Sequence, residues 1–192
     1  MTFYNIIFGI LFLGALREVV RSLAQPEHPG FWQAVTLSLL VFSDTVYTSE
    51  VIEEKQRPYS VWMKLTDLGN FVLLTFAILA IDPTAENMLQ LDVRPFFGGR
   101  PLEPVFWSLL ALYWLGLILW NVAGRMYVGV SARLLRWVQP AFCGLSVLMV
   151  VLSSYAPAHG ATAATRPIVA VLALAYLILY KPLLTGRMTR LS

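Results

Sequence analysis

Six apolar stretches constrain this chain more than any other feature. Each is close to the length of a bilayer crossing and is bounded by charged or turn-forming residues. They cover residues 3–23, 31–52, 61–81, 105–123, 134–154 and 167–184. A helix needs about 20 residues to cross the hydrocarbon core. The second and third stretches have that length outright. The first reaches it only with Arg17, Glu18 and Arg21 included, and long charged side chains near a helix end can snorkel to the interface. The sequence is 58% hydrophobic and 13% charged, against about 25% charged in a soluble domain. That leaves too little polar surface to cover a water-soluble globule. The expectation is an all-α, polytopic integral membrane bundle of six transmembrane helices. It forms a single domain over residues 1–192 with the lipid bilayer as its surroundings.

The positive-inside rule orients the bundle. With six spans, one face carries Lys55, Arg57, Lys64, Arg125, Arg133, Arg136, Lys181, Arg187 and Arg190, and the other Arg17, Arg21, Arg94, Arg100 and Arg166. This asymmetry predicts both termini in the cytoplasm, and a bacterial inner membrane is the expected location. Trp32, Trp62, Trp107, Trp120 and Trp137 fall near expected helix ends, as interfacial tryptophans do, and Trp114 falls mid-span. Ser22-Leu23-Ala24 has the small residues of a cleavage site. However, no Lys or Arg precedes the first apolar run and three charges separate it from that site, so a transmembrane helix is expected there. The longest connection, residues 82–104, lies on the outer side. Thr84 could cap a short helix through Gln90, and Phe96-Phe97 could dip into the interface. Residues 156–166, rich in Ala, Gly and Thr, read as a further outer loop.

The second stretch holds the most chemistry. Gln33, Thr36, Ser43, Asp44, Tyr47 and Thr48 recur near helical spacing, opposite Trp32, Val35, Leu39, Phe42 and Val46. A polar stripe at membrane depth must face other helices or water. On the third stretch, Lys64, Asp67 and Asn70 share a face at i, i+3 spacing. Counted from the turn near residues 55–58, Asp44 and Asp67 both sit about 10–12 Å inside the cytoplasmic end. If they meet, like-charge repulsion requires one to bind a proton or both to share a cation. The expected ion or proton site is Asp44, Asp67, Asn70, Tyr47, Thr48 and Lys64. The structural alternative pairs Asp67 with Lys64 and bonds Asp44 across helices through Ser43, Thr45 or Thr48. Glu53, Glu54, Lys55 and Arg57 form a charged cytoplasmic turn that could dock a partner protein. Arg17, Glu18 and Arg21 read as interfacial snorkelling, with Glu18 able to bridge to Arg21.

No cofactor is expected. His28 and His159 lie in outer loops, which disfavours haem ligation between helices. No HExxH, GxSxG or phosphate-binding glycine motif is present. The single Cys143 lies in an apolar run and reads as packing. The basic residues form no single patch, so no nucleic-acid partner is expected. Phe42-Ser43-Asp44 resembles the Phe-Ser-Asp signature of the lysosomal-type potassium channels and their bacterial relatives, which are also built on six-helix units. In that family the tripeptide opens the first helix behind an arginine. Here it stands in the second half of the second helix without one, so no residue role is carried over.

Three function classes follow. The first is a small channel or transporter for protons or monovalent cations, using the carboxylates of the second and third helices. Six short helices enclose no wide pore, so a homo-oligomer would conduct. The second is a non-catalytic membrane subunit that anchors, senses for or is gated by a cytoplasmic or membrane partner. The third is an intramembrane lipid-modifying enzyme, for which no nucleophile or metal set is recognisable.

Overall fold

The structure, a computed structural model, describes residues 3–24, 30–55, 60–84, 92–123, 130–155 and 161–185. Within these it describes the side chains of residues 6–24, 30–44, 60–84, 92–123, 136–155 and 163–178. The described residues form six α helices and one turn of 3-10 helix, with no strand. They are α1 (Phe3–Ala24), α2 (Phe31–Lys55), α3 (Val61–Ile81), α4 (Leu102–Ala123), α5 (Val130–Tyr155) and α6 (Ala161–Thr185), with the 3-10 turn at Arg94–Phe97. Three stretches among the described residues are long and apolar enough to cross a membrane: Val61–Ile81, Leu102–Ala123 and Arg136–Tyr155.

Local signals set the helix ends. Ser60 caps α3, its Oγ accepting from the Met63 N–H at 3.2 Å; such a cap satisfies one of the orphan donors of the first turn. Glu103 sits in the first turn of α4, where a carboxylate suits the helix dipole. That helix starts at Leu102, ahead of the apolar boundary at Val105. The largest departure from the sequence reading is at α6. Ala161–Arg166 is helical rather than loop, and Pro167 lies inside the helix. Alanine favours the helix, and Arg166 anchors it by a 2.7 Å bond from Nε to Glu103 Oε1 on α4.

Packing order differs from chain order. Around the bundle the neighbours run α1, α2, α6, α5, α4, α3 and back to α1, while α2 and α3 touch only lightly. The interior is apolar at mid-depth, where Leu11, Leu37, Leu40, Val41 and Leu74 are all fully buried. On the far side, Trp114 of α4 stacks on Phe142 of α5 at 4.7 Å and meets Tyr176 of α6 edge-on at 5.4 Å. Large apolar side chains on α1, α3, α4, α5 and α6 point outward, among them Leu13, Leu68, Leu112, Val147 and Val171.

The connection between α3 and α4 folds back on the bundle. The Val93 N–H bonds to Pro83 O at 2.9 Å. Phe96 lies 6.2 Å from the Phe76 ring while remaining largely exposed, and Phe97 packs on the core. Gly98 and Gly99 adopt positive φ, which lets the chain reverse into α4. The Arg94 guanidinium bonded to Asp92, together with the Arg94 backbone N–H, holds that carboxyl below the usual carboxylate range. The short helix expected from Thr84 to Gln90 falls on residues 85–91, outside those described. Thr84 itself donates from both its N–H (3.1 Å) and its hydroxyl (2.6 Å) to Asp82 Oδ1.

Candidate functional site

On α2, Gln33, Thr36, Ser43 and Asp44 are buried, whereas Trp32 and Phe42 are exposed. The described part of the polar stripe therefore faces the bundle interior. Among the described residues Ser43 bonds within its own helix. Its hydroxyl donates to the Leu40 carbonyl of its own helix at 2.9 Å, and Ser38 does the same to Ala34 at 2.8 Å.

Asp44 is 6% exposed and Asp67 8%, and the two carboxylates lie within electrostatic reach of each other. This holds although α2 and α3 pack mainly on other helices, because both residues turn toward the bundle interior. The indole N–H of Trp120, fully buried on α4, is directed at the Asp67 carboxylate. The Asp67 Oδ2 atom is buried without a hydrogen-bond partner. One turn deeper, Asn70 is wedged against Gly116 of α4, with the amide filling the space a Cβ would need. Its Nδ2 atom has no partner.

Lys64 differs from this group in exposure. It is exposed while Asp67 and Asn70 are buried. It lies in the first turn of α3, where a long side chain can reach the interface. The side chains of Tyr47, Thr48, Glu53, Glu54 and Lys55, and the whole of Arg57, lie outside the described residues.

Two polar residues that the sequence reading passed over complete the inner level. Asn121 of α4 and Gln139 of α5 are fully buried. Asn121 Nδ2 donates to Leu117 O at 2.8 Å and to Gln139 Oε1 at 3.3 Å. Gln139 immediately precedes Pro140, which interrupts the α5 hydrogen-bond ladder. Each stands near one end of an apolar run, where a polar residue is ordinary, so only their mutual contact marks them.

At the end of the bundle away from Asp44 and Asp67, two ion pairs join helices. Arg21 of α1 bonds to Asp82 at the end of α3, not to Glu18 as its spacing suggested. Arg166 and Glu103 join α6 to α4, and Trp107 Nε1 donates to the same Glu103 oxygen at 3.4 Å. Among the described residues no group of three His, Cys, Asp or Glu side chains could hold a metal ion. The chain matches no protein-family model, no curated protein and no solved structure, so the functional argument stands on its own residues.

Proposed function

We propose that this chain is a six-span membrane bundle, with both termini cytoplasmic, that moves protons or monovalent cations across the bilayer through a site built on Asp44 and Asp67. The observation that carries the reading is this pair of carboxylates, both buried and within electrostatic reach, in a bundle with an apolar outer surface. Ionisable side chains are expensive at membrane depth and concentrate on ion and proton pathways. Two like charges so placed favour uptake of a proton or shared cation by one of them. Trp120 and Asn70 supply polar contact beside the pair, and Asn121 and Gln139 extend the polar level toward α5. The positive-inside asymmetry supports a position of this level nearer the cytoplasm.

Liposome reconstitution tests the reading. Proton and potassium flux are compared for wild type, Asp44→Asn and Asp67→Asn. Each variant is expected to fold normally, because it replaces a buried charge by a near-isosteric amide, and to bring flux toward background. Wild-type-like flux in both variants, or background flux in all three proteins, overturns the proposal.

A further inference from the structure

A second buried carboxylate level lies on the outer side of the same helices. Glu18 of α1 has no solvent exposure, and neither carboxylate oxygen has a hydrogen-bond partner. The charged groups acting on it are Asp82 from the end of α3, and Arg21 and Arg17 from its own helix. Arg21 is engaged by Asp82, and Arg17 is exposed. From α2, the other helix against α1, the described polar side chains near this depth are uncharged: Gln33 and Thr36. Both hold buried oxygens with no partner, Oε1 and Oγ1.

We infer that Glu18 is a second proton-binding site, at the outer level of the bundle and separated from Asp44 and Asp67 by a dry layer. A buried carboxylate with no donor and a neighbouring acid is costly as an anion and inexpensive as a neutral acid. A proton needs only one carboxylate oxygen, whereas an alkali ion needs a cage of them.

Depth separates the two levels. Glu18 lies about 9 Å from the outer end of α1, while Asp44 lies about 20 Å from the outer end of α2, at 1.5 Å per residue. The interval of about 10 Å is filled by Leu37, Leu40 and Val41 of α2, Leu74 of α3, and Leu11 and Ala15 of α1, all fully buried. Two hydroxyls near this depth do not bridge it. Ser38 and Thr75 turn back onto carbonyls of their own helices, at 2.8 and 2.9 Å. The inference rests on the transport reading only in what it adds to it, an outer station and the proton as the carried ion; proton binding at Glu18 stands on geometry alone.

The test is chemical labelling of the full chain in bilayers with dicyclohexylcarbodiimide, an apolar reagent that adds to protonated carboxyls, followed by peptide mass mapping. Glu18 is expected to be labelled, falling about tenfold per pH unit above its titration. Asp82 and Glu103, held by Arg21 and Arg166, serve as poorly labelled internal controls. Labelling of Glu18 should persist in Asp67→Asn. Infrared spectroscopy checks the same group without reagent access: a protonated-carboxyl band should be absent from Glu18→Gln and present in Asp67→Asn. An infrared spectrum unchanged by Glu18→Gln, with no label at Glu18 at any pH, overturns the inference. So does suppression of labelling by sodium or potassium at fixed pH, which would make the site one for alkali ions. Background flux with Glu18 labelled would remove the transport reading and leave the site. Proton flux with Glu18 never protonated would remove the site alone.

Discussion

Gly116→Ala probes the tightest approach between two helices of the bundle. A Cβ at this position would fall on Asn70 Oδ1 and stand 2.9 Å from its Cγ and 3.2 Å from its Nδ2. Side chains do not tolerate such separations, so either the Asn70 amide moves or α3 and α4 part. Asn70 is 1% exposed, which leaves the amide little room inside. Its other exit is a surface groove of about 630 Å³ between α3 and α4, which it lines together with Gly69, Gly116 and several leucines. That groove is apolar, so an amide turned into it loses about 1–3 kcal/mol. Parting the helices instead is overpacking, again about 1–3 kcal/mol. Both routes therefore predict a loss of about 1–3 kcal/mol for Gly116→Ala, read by denaturant titration of the full chain in bicelles with helical circular dichroism. Asn70→Ala makes room for the new methyl. The double variant should lose less than the sum of the singles by at least about 1 kcal/mol, beyond the roughly 0.3–0.5 kcal/mol within which independent sites add. Additive effects, or a Gly116→Ala protein as stable as wild type, would refute the claim that Asn70 is wedged there.

The same titration reaches two other contacts. Trp114→Ala should lose about 3–5 kcal/mol, because it empties the centre of the aromatic stack with Phe142 and Tyr176. Trp114→Phe should lose much less, since it keeps a ring and discards an indole N–H that has no hydrogen-bond partner; equal losses would count against the stacking argument. Glu103→Gln should lose about 1–3 kcal/mol by weakening two bonds from a half-buried Arg166. Glu103→Gln with Arg166→Gln should lose less than the sum of the singles, and a strictly additive pair would show that the ion pair adds nothing.

The helices are legible in the sequence because hydropathy is a local property, and apolar runs broken by charges and turns place all six. Their ends are less so. Ala161–Arg166 reads as loop from its composition, yet the segment is helical because Arg166 finds Glu103 sixty-three residues away. Asp44 and Asp67 stand out as acids in apolar runs, and helical spacing alone turns Gln33, Thr36 and Asp44 inward. Glu18 is misread for the opposite reason. Flanked by Arg17 and Arg21, it has the look of an interfacial cluster, and only the sixty-one-residue contact of Arg21 with Asp82 shows that its cation is committed elsewhere. Periodicity reports which face a residue takes on its own helix. It does not report which helix lies opposite, and here α2 meets α6 rather than packing closely on α3.

That packing order explains how the two carboxylate levels can coexist with a stable fold. The α4–α5–α6 half is held by aromatic stacking around Trp114 and by the Asn121–Gln139 contact. The carboxylates belong to the other half: Glu18 on α1, Asp44 on α2 and Asp67 on α3. Of these three helices, α3 is fixed to the aromatic half through Asn70 at Gly116, α2 meets it at α6, and α1 packs chiefly on α2. Leu11, Leu37, Leu40 and Val41, which supply most of the dry layer, belong to α1 and α2. On the proposed transport reading, a proton passing between Glu18 and the Asp44–Asp67 level would need that layer to admit water. A shift of α1 and α2 together against α3, turning about the α2–α6 contact, would do this by opening apolar contacts worth about 0.1–0.2 kcal/mol per atom pair. The Arg21–Asp82 ion pair spans that same boundary at its outer edge. Its charge-assisted bond is therefore the principal polar contact on the described outer side that such a shift would break, and Asp82 is also the acid within electrostatic reach of Glu18. On that reading, opening of the layer and the charge state of Glu18 would both act on one carboxylate, Asp82.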